Sequence, residues 1–201
     1  MKFINITRNA VVIIDDEDYK RISQHRWALN PEGSGYAIRK GAKRRGEKRT
    51  VAMHQEIMHA PPGSLIDHIN GNGLDNRKSN LRFADTQKNS FNKAKAKGTY
   101  TSKYKGVFQR GGENKWTARI KYNDHHVELG EYESEPLAAA VYNYAAAVFF
   151  GEYRRENKGP EIPVLDDNVR RNVFGRCSRA CQRRGWSINT EEYKKSYKRY
   201  A

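Results

Sequence analysis

Short runs of hydrophobic residues alternate with charged residues in the first half of the chain, and this pattern predicts small elements of both kinds. The apolar run Val11–Ile14 predicts a strand, and the acidic start of "DDEDYKRISQ" (15–24) predicts a helix capped by Asp15 or Asp16. Further strands are predicted in "HRWAL" (25–29) and "GYAIRK" (35–40), a strand leading into a helix in "KRTVAMHQEIMH" (48–59), and a helix towards the end of "SNLRFADTQKNSFNKAKAK" (79–97). The predicted fold class is α+β.

The pattern becomes more regular in the middle of the chain. Three runs predict the strands of an antiparallel meander: "YKGVFQR" (104–110), "KWTARIKY" (115–122) and "HHVELGEY" (125–132). Ser134 then predicts the start of an alanine-rich helix, "EPLAAAVYNYAAAVFFG" (135–151), which lies on one face of the sheet. We expect the other face to be free and basic, with Arg110, Lys115, Arg119 and Lys121 on it and the acidic residues near the helix.

Two changes in composition predict the domain boundaries. The segment "KAKAKGTYTSK" (93–103) has the polar, basic composition of a linker, and "NKGPEIPV" (157–164) contains two prolines and a glycine. The predicted parts are therefore 1–97, 98–159 and 160–201. The last part predicts two basic amphipathic helices, which are either a packing arm or solvated tail or a further DNA contact; the sequence leaves both open.

Charge narrows the class of partner. The 201 residues include 38 Lys and Arg against 23 Asp and Glu, a net charge of +15, which favours a polyanion such as nucleic acid. No apolar run approaches the length of a membrane span. The two cysteines, Cys177 and Cys181, are spaced for one helix face and not for a disulfide framework, so we expect a reducing, cytoplasmic setting. Nothing in the sequence implies a membrane or an obligatory protein partner.

Candidate chemistry lies in "DHINGNGLDNRKSNL" (67–81), which holds four asparagines, two aspartates and a histidine. Hydrolysis of a phosphodiester needs a base for water and a cation for the phosphate. His68 is a candidate base, because its ordinary pKa is about 6.5. Asp67 supplies one hard oxygen ligand and, as a neighbour on an extended segment, points to the opposite face.

Two asparagines complete the candidate site. Asn80 is placed to hydrogen-bond backbone groups and fix the turn, and Asn89, on the predicted helix, can present an oxygen to the metal. Oxygen ligands favour Mg²⁺, with Mn²⁺ as a substitute, over Zn²⁺. The alternative is a polar surface loop whose asparagines fill turn positions, and composition alone favours that alternative.

The spacing of these residues resembles the HNH nuclease motif. The resemblance covers "MHQEIMHAPPGSLIDHINGNGLDNRKSNLRFADTQKNSFN" (53–92), extends to the lead-in at 11–29, and is greatest with HNH proteins of phages and mobile introns. It implies a ββα-metal module in which His68 is the general base, Asp67 and Asn89 bind the metal, and Asn80 orders the catalytic loop. Many HNH proteins have His at the position of Asn89, which implies weaker metal binding here; Asn92 is the alternative ligand, and His54 an expected supporting residue.

The middle part resembles a second family. Residues 104–157, with "YKGV", "KW-A-I", "LG-Y" and the alanine-rich helix, are similar to the APETALA-type/ethylene-response-factor DNA-binding domain. This resemblance implies a three-stranded sheet and helix that contacts DNA through Arg110, Trp116, Arg119 and Lys121. Phe108 and Glu128 replace residues that are often Arg and Trp in the plant domains, so the plant target sequence does not carry over.

Taken together, these patterns predict a homing-type HNH endonuclease that acts on double-stranded DNA, encoded by a phage or mobile element and active in the cytoplasm of a bacterial host. Whether it nicks one strand or cuts both is open. A DNA-binding regulator with an inactive HNH module is the main alternative, and an RNA-binding protein is a second.

Overall fold

The computed structural model describes residues 1–31, 35–41, 50–95, 98–111, 114–188 and 190. The chain divides into two compact units, Met1–Asn92 and Lys93–Ala201, and each combines α-helices with antiparallel strands, so the fold class is α+β. Lys48, Arg49, Lys97 and, apart from Thr190, the second predicted C-terminal helix lie outside the described residues. Within the described ranges, none of the helices is both long and apolar enough to cross a membrane.

The described residues of the first unit form three small sheets and three short α-helices. Its elements are β1 Lys2–Asn5, β2 Val11–Ile14, α1 Asp16–Ile22, β3 Ala28–Leu29, β4 Ala37–Lys40, β5 Thr50–Ala52, α2 Met53–Ile57, β6 Leu65–His68, β7 Leu81–Ala84 and α3 Thr86–Phe91. The sheets are β1-β2, β3-β4-β5 and β6-β7. Strand β2 and the strand-to-helix step of β5 and α2 are confirmed, whereas β1 and β7 were not predicted.

One small apolar core holds the first unit together. Val12 and Ile14 of β2 are fully buried while Val11 is exposed, as expected for a strand with one face on the core. Ile22, Met53 and Ile57 complete the fully buried set. Ile66 of β6 and Leu81 of β7 belong to the same cluster, so the lead-in and the region around β6 share a single core.

The second unit contains the predicted meander and helix. Its elements are β8 Val107–Gln109, β9 Trp116–Tyr122, β10 His125–Tyr132, α4 Glu135–Phe150 and α5 Asp167–Gln182, with strand order β10-β9-β8. The three strands and α4 confirm the predicted elements. The Ser134 side chain accepts a hydrogen bond from the Leu137 amide at 3.3 Å, as a helix cap does.

Close approach of α4 to the sheet depends on small residues. Ala138, Ala139 and Ala145 are fully buried. Gly106, before β8, has a φ of +73°, and a Cβ atom there would lie 2.1 Å from the Tyr142 ring. Only glycine therefore suits the position, both for its backbone conformation and for its space.

Candidate functional site

Asp67 lies opposite Arg82 in the β6-β7 hairpin, and this register fixes its main partner. Its Oδ2 accepts hydrogen bonds from Arg82 Nε at 2.9 Å and from Arg82 Nη2 at 2.6 Å. Asn92, just after α3, donates through Nδ2 to Oδ1 at 3.1 Å and to the His68 carbonyl at 2.8 Å. Asp67 is 5% exposed. The carboxylate is therefore oriented by an arginine and an amide before any ligand is considered.

His68 has a different set of neighbours from Asp67. Its ring stacks on the Tyr36 ring, with centroids 5.4 Å apart and planes inclined by 17°. The His54 ring meets it edge-on at 5.1 Å. Gly73 makes room for this arrangement, because a Cβ atom there would lie 2.5 Å from the Tyr36 ring. The imidazole is thus held in one orientation by aromatic packing.

A hydrogen bond with Asn76 favours one tautomer of His68. Asn76 Nδ2 donates to the Gly73 carbonyl at 3.3 Å, which leaves Asn76 Oδ1 facing His68 Nε2 at a long 3.4 Å. An amide oxygen only accepts, so Nε2 carries the proton and the lone pair resides on Nδ1. Among the described residues, His68 Nδ1 has no hydrogen-bond partner although it is buried. Burial lowers the pKa of His68, against smaller opposing effects of Asn76, Asp67 and Asp75, which favours the neutral imidazole.

Asn80 lies at the centre of the asparagine-rich loop. Its Oδ1 accepts from the Asn70 amide at 3.0 Å, and its Nδ2 donates to Asn70 Oδ1 at 3.0 Å and to the Asp75 carbonyl at 2.8 Å. The Asp75 carboxylate in turn accepts two hydrogen bonds from Arg77, at 2.8 and 2.7 Å. The hydrogen bonding to Arg77 holds the pKa of Asp75 below its ordinary value. Asn80 therefore joins the two ends of the loop.

The lead-in anchors the same loop from outside. Ile13 of β2 accepts a hydrogen bond from the Asn76 amide at 2.8 Å and donates one to the Leu74 carbonyl at 2.9 Å. Asp15 is the N-cap residue of α1, but its carboxylate accepts from the Lys78 amide at 2.8 Å and makes no cap hydrogen bond. Asp15 is thus the N-cap residue, as predicted, but its carboxylate binds the loop backbone and not the helix N-terminus.

Asn89 is half-buried, and its side chain makes no hydrogen bond to any described residue. Asn89 lies three positions before Asn92, so the two residues share a helix face. Because Asn92 contacts Asp67, this is the face of α3 on the side of Asp67. The described residues contain no group of three His, Cys, Asp or Glu side chains suited to a metal ion. A carboxylate and an amide oxygen do fit Mg²⁺, which takes few protein ligands and completes its shell with water and substrate phosphate. Asn92 presents its NH₂ group to Asp67, so it acts as a hydrogen-bond donor there.

Three residues of this site were not predicted: Tyr36, Asn76 and Arg82. Arg82 is the cross-strand partner of Asp67, and only knowledge of β7 and its register would have identified it. Tyr36 lies 32 positions before His68 and carries no local signal of the contact. Asn76 belongs to the same asparagine-rich stretch, and nothing in its local sequence indicates the contact with His68.

In the second unit, the four predicted DNA-contacting residues do not share one face. Arg119 and Lys121 alternate along β9 on the face away from α4. Trp116 has the parity of Ala118 and Ile120, which are buried against the helix side. Arg110 follows β8 and lies within 4 Å of the acids of β10. The sheet therefore presents Arg110, Arg119 and Lys121 together and Trp116 apart from them.

The expectation of a free basic face, with the acids near the helix, was wrong. Glu128 of β10 pairs with Arg110 at 3.7 Å and with Arg119 at 3.8 Å, and Glu131 pairs with Arg110 at 3.5 Å. Lys121 pairs with Asp124 at 2.9 Å. The face alternates in sign because acidic residues occupy the outward positions of the neighbouring strand.

Two further groups of the second unit are engaged in packing. Tyr122 lies against Phe149 at 4.9 Å and Trp186 at 5.3 Å between ring centroids. Lys95 donates hydrogen bonds to the carbonyl oxygens of Ser102 at 2.6 Å and Tyr104 at 2.8 Å. Lys95 thus links the start of the segment 93–103 to the backbone at Ser102 and Tyr104.

Comparison with known proteins shows a similarity to a viral protein. No protein-family model matches the chain. The chain is 34% identical over 140 residues to a protein of Acanthamoeba polyphaga mimivirus described as an uncharacterized HNH endonuclease. The matched region covers 68% of this chain and 69% of the relative.

Proposed function

This chain belongs to the HNH endonuclease family, and we propose that it hydrolyses phosphodiester bonds of double-stranded DNA as a homing-type endonuclease. The proposed cofactor is one divalent metal ion, Mg²⁺ or Mn²⁺. His68 is the proposed general base, Asp67 and Asn89 the proposed metal ligands, and Asn80 the residue that fixes the catalytic loop. Arg110, Arg119 and Lys121 remain proposed DNA contacts, and Trp116, on the opposite side of β9, is the weakest of the four.

The observation that carries this proposal is the unpartnered Nδ1 of His68. A neutral imidazole whose Nε2 proton is directed at Asn76 Oδ1 offers its lone pair at Nδ1, where a water molecule can be deprotonated. Tyr36 and His54 hold the ring in place, so little reorganisation precedes the transfer. His54 Nδ1 is likewise buried without a partner among the described residues, but only His68 is adjacent in the chain to the proposed metal ligand Asp67.

The metal would lie against Asp67 and Asn89. When bound there, the ion supplies Lewis-acid stabilisation of the charge that develops on the scissile phosphate. Arg82 and Asn92 orient the Asp67 carboxylate, and Asn80 keeps the segment between Asn70 and Asp75 closed. Asp67 and His68 thereby contribute separate functions from adjacent positions of β6.

A nicking assay on supercoiled plasmid tests the proposal. The plasmid carries the DNA that flanks the gene in its genome, and the protein is incubated with Mg²⁺ or with EDTA. His68→Asn removes the base, and His59→Asn is the matched control, because His59 is exposed and its φ of +47° suits asparagine. Circular dichroism of each variant checks the fold.

We expect the parent protein and His59→Asn to convert supercoiled plasmid to open circles or linear product only with Mg²⁺. His68→Asn, folded and DNA-bound, should not cut. Cleavage by His68→Asn at the parent's rate would remove His68 from the mechanism. Specific binding in EDTA without cleavage in Mg²⁺ would replace the nuclease with a regulator, and preferential binding of duplex RNA would replace the DNA substrate.

A further inference from the structure

Helix α5 is a fixed part of the second unit and not a loose tail. Val173, Cys177, Ala180 and Cys181 recur at helical spacing and are buried. After the helix the chain turns back, the Trp186 amide donates to the Cys181 carbonyl at 3.0 Å, and the Trp186 ring packs against Tyr122. These contacts set the rotation of α5 about its own axis.

With the rotation fixed, three arginines form a stripe on an exposed flank. Arg176, Arg179 and Arg183 are exposed and occur at spacings of three and four residues, so they follow one another along the helix. We call these three residues the arginine stripe. None of them forms an ion pair or a side-chain hydrogen bond with a described residue. The helix rise places them over roughly 10 Å of its axis.

This flank differs from the open sheet face of the same unit. On the sheet, each of Arg110, Arg119 and Lys121 has a carboxylate within 4 Å. A phosphate that approaches those side chains must displace an existing partner, whereas the arginine stripe has no partner to displace. Glu131 lines a cleft together with Arg176, Arg179 and Asn172, and its carboxylate is paired with Arg110.

We propose that the arginine stripe binds the phosphate backbone of duplex DNA and provides most of the ionic contact of the second unit. The inference rests on the proposed function, because it takes DNA as the substrate. The stripe extends over roughly 10 Å of the α5 axis, which is long enough for its arginines to contact successive phosphates of one DNA strand. Arginines on a packed helix bind phosphate with little loss of backbone freedom. The contact would add affinity without reading sequence.

The alternative explanation is that these arginines only favour solubility and the helix dipole. Basic residues near a helix C-terminus stabilise the helix by themselves. A dipole role predicts lower stability when the arginines are replaced and no selective change in DNA affinity. Binding and stability therefore have to be measured on the same variants.

The test compares two triple variants in a His68→Asn background with EDTA present. One replaces Arg176, Arg179 and Arg183 by glutamine; the charge-matched control replaces Arg110, Arg119 and Lys121 by glutamine. The affinity for a fluorescent mixed-sequence DNA duplex is measured by anisotropy across a salt series, and thermal melting checks the fold. Single replacements substitute for a triple variant that does not fold.

We expect the stripe variant to bind on the order of 100-fold more weakly near physiological salt and to reduce the slope of log affinity against log salt by between about two and three. The sheet variant should change both quantities less. Parent-like affinity and slope of the stripe variant would overturn the proposal, as would a larger loss in the sheet variant or equal competition by duplex RNA. The plasmid assay separates this inference from the proposed function. Nicking by the parent together with parent-like DNA affinity of the stripe variant would refute this inference alone. DNA binding through the stripe without cleavage by the parent would refute only the nuclease activity.

Discussion

Replacement of Arg82 by alanine tests both the packing of Asp67 and its proposed role as a metal ligand. The Arg82 and Asp67 side chains are 12% and 6% exposed, and Arg82 donates two hydrogen bonds to one carboxylate oxygen. Removal of one partner from a buried ion pair costs about 3–5 kcal/mol, because the remaining charge is left uncompensated. Asn92 still donates to the carboxylate, so we expect the lower end, about 3 kcal/mol of unfolding free energy.

Mg²⁺ should restore part of that loss. An ion that binds the folded state stabilises it by about 2.7 kcal/mol at 100 times its dissociation constant. Without Arg82, the Asp67 carboxylate has no cationic partner among the described residues. Mg²⁺ should therefore raise the unfolding free energy of the variant more than that of the parent. Urea denaturation with Mg²⁺ and with EDTA measures both effects.

Arg77→Ala is the matched control, because Arg77 makes a comparable pair with the buried Asp75 away from the proposed ligands. It should lose stability but gain no more from Mg²⁺ than the parent. An equal gain in the Arg82 and Arg77 variants would mean that Asp67 does not bind the metal. An unchanged stability of Arg82→Ala would mean that the ion pair contributes little.

Three further outcomes are expected. Burial lowers the pKa of His54 to about 4, so the unfolded state binds the proton first as the pH falls below about 6.5. Urea titrations should therefore show that about 3 kcal/mol of unfolding free energy is lost between about pH 6.5 and about pH 4. His54→Phe should remove that part of the pH dependence. Asn80→Ala leaves the Asn70 amide and the Asp75 carbonyl without their partner and should cost about 2 kcal/mol in the same assay, and an unchanged urea midpoint would contradict the role of Asn80 in the loop. Tyr36→Phe should keep the stack on His68 and the nicking rate, whereas Tyr36→Leu should lower the rate about tenfold with DNA binding intact; equal rates would show that the stack does not position the base.

Local signals predicted the elements whose residues carry them. Val11–Ile14 and the helix after Ser134 are found at the predicted positions, because an apolar run and a capping serine act over a few residues. The residues that complete the candidate site depend on pairing across the fold. The Asp67–Arg82 pair follows from the register of β6 and β7, and the Tyr36–His68 stack joins β6 to the residue just before β4.

The sheet of the second unit also contains contacts that local sequence signals did not predict. Its strands were predicted correctly, and so was the outward direction of Arg119 and Lys121. The acids opposite them were not, since the register of Glu128 with Arg119 includes a bulge between Glu128 and Gly130. A count of charges per segment cannot tell which charges become neighbours.

The hydrogen bonds that join Ile13 and Asp15 to the asparagine-rich loop determine how much of this protein must be moved to transplant its proposed nuclease. The recognisable motif begins at Met53, yet the loop between its proposed base and its ordering asparagine is held by a strand some 60 positions earlier. A chimaera built from residues 53–92 alone would leave that loop without its support and the shared core without Val12 and Ile14. The smallest cassette worth grafting onto another DNA-binding scaffold is therefore the whole of residues 1–92.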